Sequence, residues 1–312
     1  MIRSAFQHLP GIGPQRLALL RDAGIRDWDE LIEQSGALLG MKDGQWQRVV
    51  AAVEECRRAF TSQDLSFLTE ALHTSDHWRI LAKYFDRATF FDIETTGLDC
   101  DSQITIIACY HNGEFYRFFK DENLEDFLDL LEEVELLVSF NGNSFDVPKI
   151  ERTFHIPGLP CPHLDLRWVC HHAGLRGGLK KIEPRLGVFR PPDLAFVDGA
   201  EAVWLWEEWE QTADPHLRTR LERYCCADVA ALHLVGAEIL RQAEIQVASK
   251  TTDEIWHELD TVAPPHPAGN RSGGSRSSAS LTAVDTASPE PLADLASAEE
   301  RLRHMLRRKR MG

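Results

Sequence analysis

Alternation of apolar and polar positions is clearest between residues 88 and 119, in the runs ATFFDIE, QITIIACYH and GEFYRFFK. Period-two runs predict strands, because successive side chains point to opposite faces of a sheet. Asn112-Gly113 separates the second run from the third and predicts a tight hairpin. The helical stretch ENLEDFLDLLEEV then leads to a further strand, ELLVSFN. A helix around VPKIERTF, a short apolar HLDLRW and mainly helical sequence to about residue 245 follow. Three strands in a meander, then strands separated by helices, predict an α/β fold built on a mixed sheet.

Upstream the period changes. In HLPGIGPQRLALLRDAGIRDWDELIE, a loop of Leu9-Pro10-Gly11-Ile12-Gly13 leads into a helix opened by Pro14, where a missing N–H is no loss. Gly24 suits the left-handed residue that ends this helix, and Asp27 with Glu30 predicts a capping box for the next. Two glycines before a helix N-terminus leave backbone N–H groups open to a phosphate oxygen, aided by the helix dipole. Residues 39–44 (LGMKDG) read as a degraded second copy of that loop, followed by the helix GQWQRVVAAVEECRRAF. A small helical bundle with a glycine turn and no ligand is the alternative reading. Residues 61–85 form a partly helical connector, with Trp78, Ile80, Leu81 and Tyr84 expected to pack on the next domain. From residue 252 onward, Pro, Gly and Ser dominate with little apolar content, which predicts a disordered tail. The tail closes on AEERLRHMLRRKRMG, a short basic helix in expectation that would meet nucleic acid or a protein partner, or simply stay solvated.

Composition adds bounds. At 312 residues the chain exceeds a typical single domain, and 43% hydrophobic content is ample for a core. No apolar run approaches the length of a membrane span and the N-terminus lacks a signal-peptide core, so no membrane partner is expected. Seven cysteines include no C-x-x-C pair, and adjacent Cys225 and Cys226 suit neither zinc nor a disulfide framework. They are expected to be core residues in a reducing cytoplasm. Net charge is −15. Between residues 84 and 245 there are 29 acidic and 15 basic residues, so nearly all the excess lies in the β-rich segment. A broad basic footprint is absent there, and any nucleic-acid affinity must come from local patches or another module.

The acidic segment also holds the candidate chemistry. Asp92 and Glu94 in FFDIETTG share one strand face, and Tyr224 and Asp228 in RYCCADVAAL share one helix face. Asp146 lies in SFNGNSFDVP. Carboxylates gathered from several elements repel one another unless cations sit between them, and Mg²⁺ or Mn²⁺ favours carboxylate oxygen. Singly, each acid also reads as an ordinary surface or turn residue. His171 and His172 do not make a metal pair, since adjacent helix residues point apart.

The order Asp92-x-Glu94, then Asn141-Gly142 with Phe145-Asp146, then Tyr224-x-x-x-Asp228 resembles the DEDDy branch of the DEDD 3′–5′ exonucleases. That superfamily includes polymerase proofreading domains. Its sister branch places His five residues before the last Asp, where this chain has Arg223. The resemblance implies a ribonuclease-H-like, mixed five-stranded sheet flanked by helices over residues 86–245, and a nuclease. It implies two Mg²⁺ or Mn²⁺ ions, bridged by Asp92, with Glu94 and Asp228 as terminal ligands and Asp146 reaching a metal through water. Tyr224 would orient the attacking water. Thr95, Thr96, Gly97 and Leu98 would line the pocket for the terminal nucleotide, and Asn141 would bond substrate or loop. Lys180 and Lys181, with Arg176 and Arg185, form the best basic patch, either phosphate-holding or solvated. Asp165 lies where related nucleases often carry a further acid, and equally suits a helix N-cap. Residues 1–60 resemble the helix-hairpin-helix module, which grips the DNA backbone through a loop like Gly11-Ile12-Gly13. The expected whole is a cytoplasmic, metal-dependent 3′–5′ exonuclease (nucleoid-associated in a bacterium), with DNA favoured over RNA as its partner. An exoribonuclease and a non-catalytic nucleic-acid-binding scaffold are the alternatives.

Overall fold

The acid-x-acid run occupies the middle strand of the sheet. The computed structural model describes residues 1–97, 99, 101–195, 197 and 199–265. In it, β1 (Ala88–Thr95) pairs antiparallel with β2 (Ile104–His111) and parallel with β4 (Leu136–Ser139). Edge strands β3 (Glu114–Phe119) and β5 (His163–Asp165) complete the order β3-β2-β1-β4-β5. The mixed five-stranded sheet is therefore present. Asn112 and Gly113 both take positive φ, 51° and 83°, which is the combination a two-residue hairpin turn needs.

Strand parity sorts the core into two layers. Phe91, Ile93, Ile107 and Cys109 pack with Phe127 and Leu131 of α6 (Asp126–Glu133) and Ile150 of α7 (Asp146–Phe154). Phe90, Ile106, Ala108 and Tyr110 face the other way, into the core shared with the long helix α11 (Pro215–Gln242). Phe90 and Phe91 are both fully buried, and each contributes roughly 1.5–3 kcal/mol by leaving water. Small residues let α11 approach the sheet. An added Cβ at Gly236 would sit 3.2 Å from Phe85 and 3.5 Å from Phe90.

The N-terminal residues form α1 (Pro14–Asp22), α2 (Trp28–Ile32) and α3 (Asp43–Ser62). Trp28 is their fully buried centre, and its Nε1 donates to Ala5 O at 2.6 Å. Gly24, at φ 74°, ends α1, with Ile25 N–H returning to Leu20 O at 2.9 Å. Asp27 caps α2 as expected, accepting from the N–H groups of Asp29 and Glu30. The reciprocal half of the box is diverted: Glu30 accepts from Arg26, both backbone and guanidinium. The connector is two helices, α4 (Leu65–Ala71) and α5 (His77–Tyr84), and Trp78, Ile80, Leu81 and Tyr84 are all buried. One continuous apolar core runs from Ile2 through this connector into the sheet domain.

The disordered tail expected from residue 252 is contradicted over its first residues. Residues 252–262 form a helix, α12 (Thr252–Val262), with a Thr251–Glu254 capping box and Ile255, Trp256 and Leu259 buried. Arg117 and Arg223 hold its end by donating to Val262 O (2.9 Å) and Ala263 O (2.6 Å). A Pro/Ser-rich neighbour masked three apolar positions with helical spacing. The basic run 298–312 lies outside the described residues. Among those described, no helix is long and apolar enough to cross a membrane.

Candidate active site

Asp92 and Glu94 share the parity of Phe90, so they point toward α11 from the C-terminal half of β1, just before a register shift at Glu94/Thr95. Bulges of this kind re-aim side chains at the end of a strand. On α11, Tyr224 and Asp228 are one turn apart and face them, with Cys225 between. Carboxylate oxygens of Asp92 and Glu94 and the Cys225 sulfur all lie within 4.8 Å of one another. Asp146 arrives from the far side of β1 as the first residue of α7, buried, after a loop in which Asn141 takes φ 68°. Lys149, one turn on, donates to Asp99 O (2.6 Å) and Ser102 O (2.9 Å), tying the β1–β2 loop to this helix.

The electrostatics are those of crowded anions. Burial pushes the Asp92 carboxyl well above the ordinary range, and Asp228, Asp146 and Glu94 push it further. Glu94 is raised in the same direction, by burial first and then by Asp228. Burial raises Asp146 to about 7, with Asp165 adding to the shift. Tyr224 is raised too, by burial and then by Asp228, Glu94 and Asp92, so its phenol stays neutral. Lys180 Nζ donates to Tyr224 Oη at 2.6 Å and to Val197 O at 2.8 Å, and lies 4.4 Å above the tyrosine ring. That bond leaves the tyrosine hydroxyl proton free to be donated.

Asp228 is 7% exposed, and its Oδ1 is buried. The Arg190 guanidinium lies against that oxygen as an ion pair and is itself bound by Glu183. Burying several carboxylates together is costly unless cations bind them, and among the described residues Arg190 with Lys180 brings only two positive charges to the group. The carboxylate oxygens of this group suit a hard divalent cation, while burial keeps the adjacent Cys225 thiol protonated and its sulfur donates to Asp92 O. Asp92, Glu94, Asp146 and Asp228 would hold such ions.

Other predicted residues have different surroundings. Asp165 is buried, caps α8 (Leu166–His172) through Arg167 N–H (3.0 Å) and pins Asn141 N–H at 2.7 Å, so it plays the N-cap alternative. The Asn141 side chain accepts from Arg167. Thr95 Oγ1 donates to Gly97 O at 2.6 Å, and Thr96 closes the loop through Gln103, by N–H to O at 2.9 Å and by accepting Gln103 N–H at 3.0 Å. These bonds shape the strand-end loop that holds Gly97. Leu98 lies outside the described residues. The basic patch divides: Lys180 enters the acidic centre, whereas Lys181, Arg176 and Arg185 are exposed. The six described cysteines are all buried and free, as expected of core residues. Arg190 and Glu183 were not singled out by the sequence. The hint was arithmetic: four gathered carboxylates need cations, and Arg190 is an arginine between Phe189 and Pro191-Pro192 with no surface logic of its own.

Residues 89–239 match the model of the RNase_H superfamily. This part of the chain therefore has an RNase H-like fold, with the strand order described above. Among solved structures, a family B DNA polymerase from the hyperthermophilic archaeon Pyrobaculum calidifontis is similar at 20% identity and a TM-score of 0.41. The match covers 57% of this chain and 27% of the polymerase chain, so it spans about a quarter of that protein. No curated protein matches.

Proposed function

We propose that the protein is a divalent-metal-dependent 3′–5′ exonuclease of the tyrosine (DEDDy) branch, acting on DNA. The observation that carries this reading is the convergence of Asp92, Glu94, Asp228 and Tyr224 on one face between β1 and α11. Arg223 supports the tyrosine branch. It occupies the position of the alternative histidine but is turned to Asp193, at 2.6 Å, and Asp260, at 2.8 Å.

Two Mg²⁺ or Mn²⁺ ions bound by the carboxylates would supply an activated water and brace charge at phosphorus. The chain's own residues orient and hold. Tyr224, neutral and fixed by Lys180, donates its hydroxyl proton to position the attacking water rather than abstract from it. Lys180 also brings one positive charge to the centre where the scissile phosphate would sit. With end-labelled single-stranded DNA, duplex DNA and RNA, stepwise shortening from the 3′ end is expected on DNA with Mg²⁺ or Mn²⁺ and none with EDTA. Shortening of RNA alone would replace the DNA reading with the exoribonuclease, and binding without cleavage of any substrate would leave a scaffold.

Duplex capture is assigned in the same proposal to the N-terminal helices, as a helix-hairpin-helix module. Gly11 (φ 76°), buried Ile12 and the extended cap Gly13 precede α1; Gly40 (φ 60°), buried Met41 and the extended cap Lys42 precede α3 in the same conformational order. Arg16 joins the two loops, donating to Gly11 O at 2.8 Å and Leu39 O at 2.9 Å. Replacing Gly11 and Gly13 by valine should weaken duplex binding about tenfold by covering phosphate-facing N–H groups, while short oligonucleotides are still hydrolysed. Gly13→Val alone is the cleaner variant, since nothing lies within 4 Å of a Cβ there. Unchanged duplex affinity in a filter-binding titration would remove the module from the mechanism.

A further inference from the structure

The strap between α9 (Leu179–Ile182) and α10 (Gly199–Thr212) crosses α11 with two charge pairs of opposite polarity. Arg190 of the strap meets Asp228 of the helix, and Asp193 of the strap meets Arg223 of the helix at 2.6 Å. Backbone alternation turns Phe189 outward, 66% exposed, and Arg190 inward, its side chain 4% exposed. Glu183 grips the guanidinium with both oxygens, from Nε at 2.7 Å and Nη2 at 2.5 Å. The same Nη2 rests against Asp228 Oδ1, while Nη1 is buried with no hydrogen-bond partner among the described residues. The buried guanidinium therefore sets its charge against a carboxylate of the acidic centre, with Glu183 as its counter-ion.

Resting on the metal-binding reading above, we propose that Arg190, balanced by Glu183, is a positioning residue that occupies Asp228 in place of a cation. It fixes that carboxylate toward the centre and keeps the metal affinity there low enough for exchange. Two consequences of opposite sign follow from Coulomb's law. Removing the Arg190 charge makes the centre more negative and tightens metal binding. Removing the Glu183 charge leaves Arg190 uncompensated and weakens it.

Mn²⁺ binding is measured by calorimetric titration, with electron paramagnetic resonance of the free ion as a second readout, on the full chain and on Arg190→Gln, Glu183→Gln and the double variant. Relative to wild type, Arg190→Gln is expected to bind about tenfold tighter and Glu183→Gln about tenfold more weakly, since each changes one nearby unit charge. The double variant, an uncharged amide pair, should return to within about threefold of wild type, because the two charge changes cancel. A merely structural role would move both single variants the same way. Shifts in the same direction, or under about twofold in both, would overturn the proposal. Should Arg190→Gln not fold, recovery of affinity from Glu183→Gln to the double variant decides it, and no recovery overturns it. Wild-type protein that binds no Mn²⁺ would instead sink the metal-site reading, and this inference with it.

Discussion

Asp92→Asn is expected to lower single-turnover cleavage of a labelled oligonucleotide by about 10³-fold or more, the scale on which removal of one charge-stabilising group at a reaction centre is felt. The substitution preserves shape and leaves β1 paired with β2 and β4, so lost turnover is not lost fold. Its effect on the metal-free protein should have the opposite sign. Asp92 is raised by burial and by three neighbouring acids, so its ionisation opposes folding at neutral pH. An amide removes that opposition, and the variant should melt higher than wild type in EDTA and gain less from added Mn²⁺. Tyr224→Phe is the graded companion. It keeps the buried ring under Lys180 and removes only the hydroxyl, with an expected loss of about 10- to 100-fold, comparable to the loss of one positioning hydrogen bond. Wild-type turnover in Asp92→Asn would end the site assignment. A higher melting point with lost turnover is the signature of a site strained in the absence of its cation.

Much of this centre was legible because two periods fix it. Period two puts Asp92 and Glu94 on the face of Phe90, and a four-residue step puts Tyr224 and Asp228 together on α11; the fold only has to bring those faces together. The Asn112-Gly113 turn was equally plain, since few other pairs tolerate positive φ at both positions. Other features escaped for local reasons. Glu183 and Arg190 meet across a strap with no repeat, so no spacing announces the pair that reaches Asp228. Asp165 matched an acidic position of related nucleases, but whether such a residue faces the centre or caps a helix depends on the Asn141 and Arg167 N–H groups, which only the fold supplies. The helix 252–262 was hidden because the Pro-, Gly- and Ser-rich sequence that follows it outweighs its three apolar positions, Ile255, Trp256 and Leu259. Lys180 and Lys181 are neighbours in sequence, yet a single residue step along α9 sends one to Tyr224 and the other to solvent.

Gly142→Ala is expected to destabilise the protein by about 2–3 kcal/mol, at the upper end of overpacking costs. Motif spacing alone does not explain a glycine here, and its backbone does not require one, because the positive φ of this loop belongs to Asn141. The reason is space. A Cβ at residue 142 would lie 1.9 Å from Ser139 Oγ, 2.9 Å from Ser139 Cβ and 3.3 Å from His163 Nε2. Ser139 Oγ and His163 Nε2 are 2.9 Å apart and bonded, joining β4 to β5. Turning the serine rotamer relieves the first contact but not the second, and it breaks the bond to His163. The backbone of residues 139–142 must therefore move, and that segment leads directly into Asp146 at the start of α7. Turnover should fall along with stability, with the folded fraction corrected for by urea titration. A denaturant midpoint equal to wild type would show that the loop absorbs the methyl group. Loss of stability with full turnover per folded molecule would show that Asp146 is held by α7 and Lys149, independently of the loop before it.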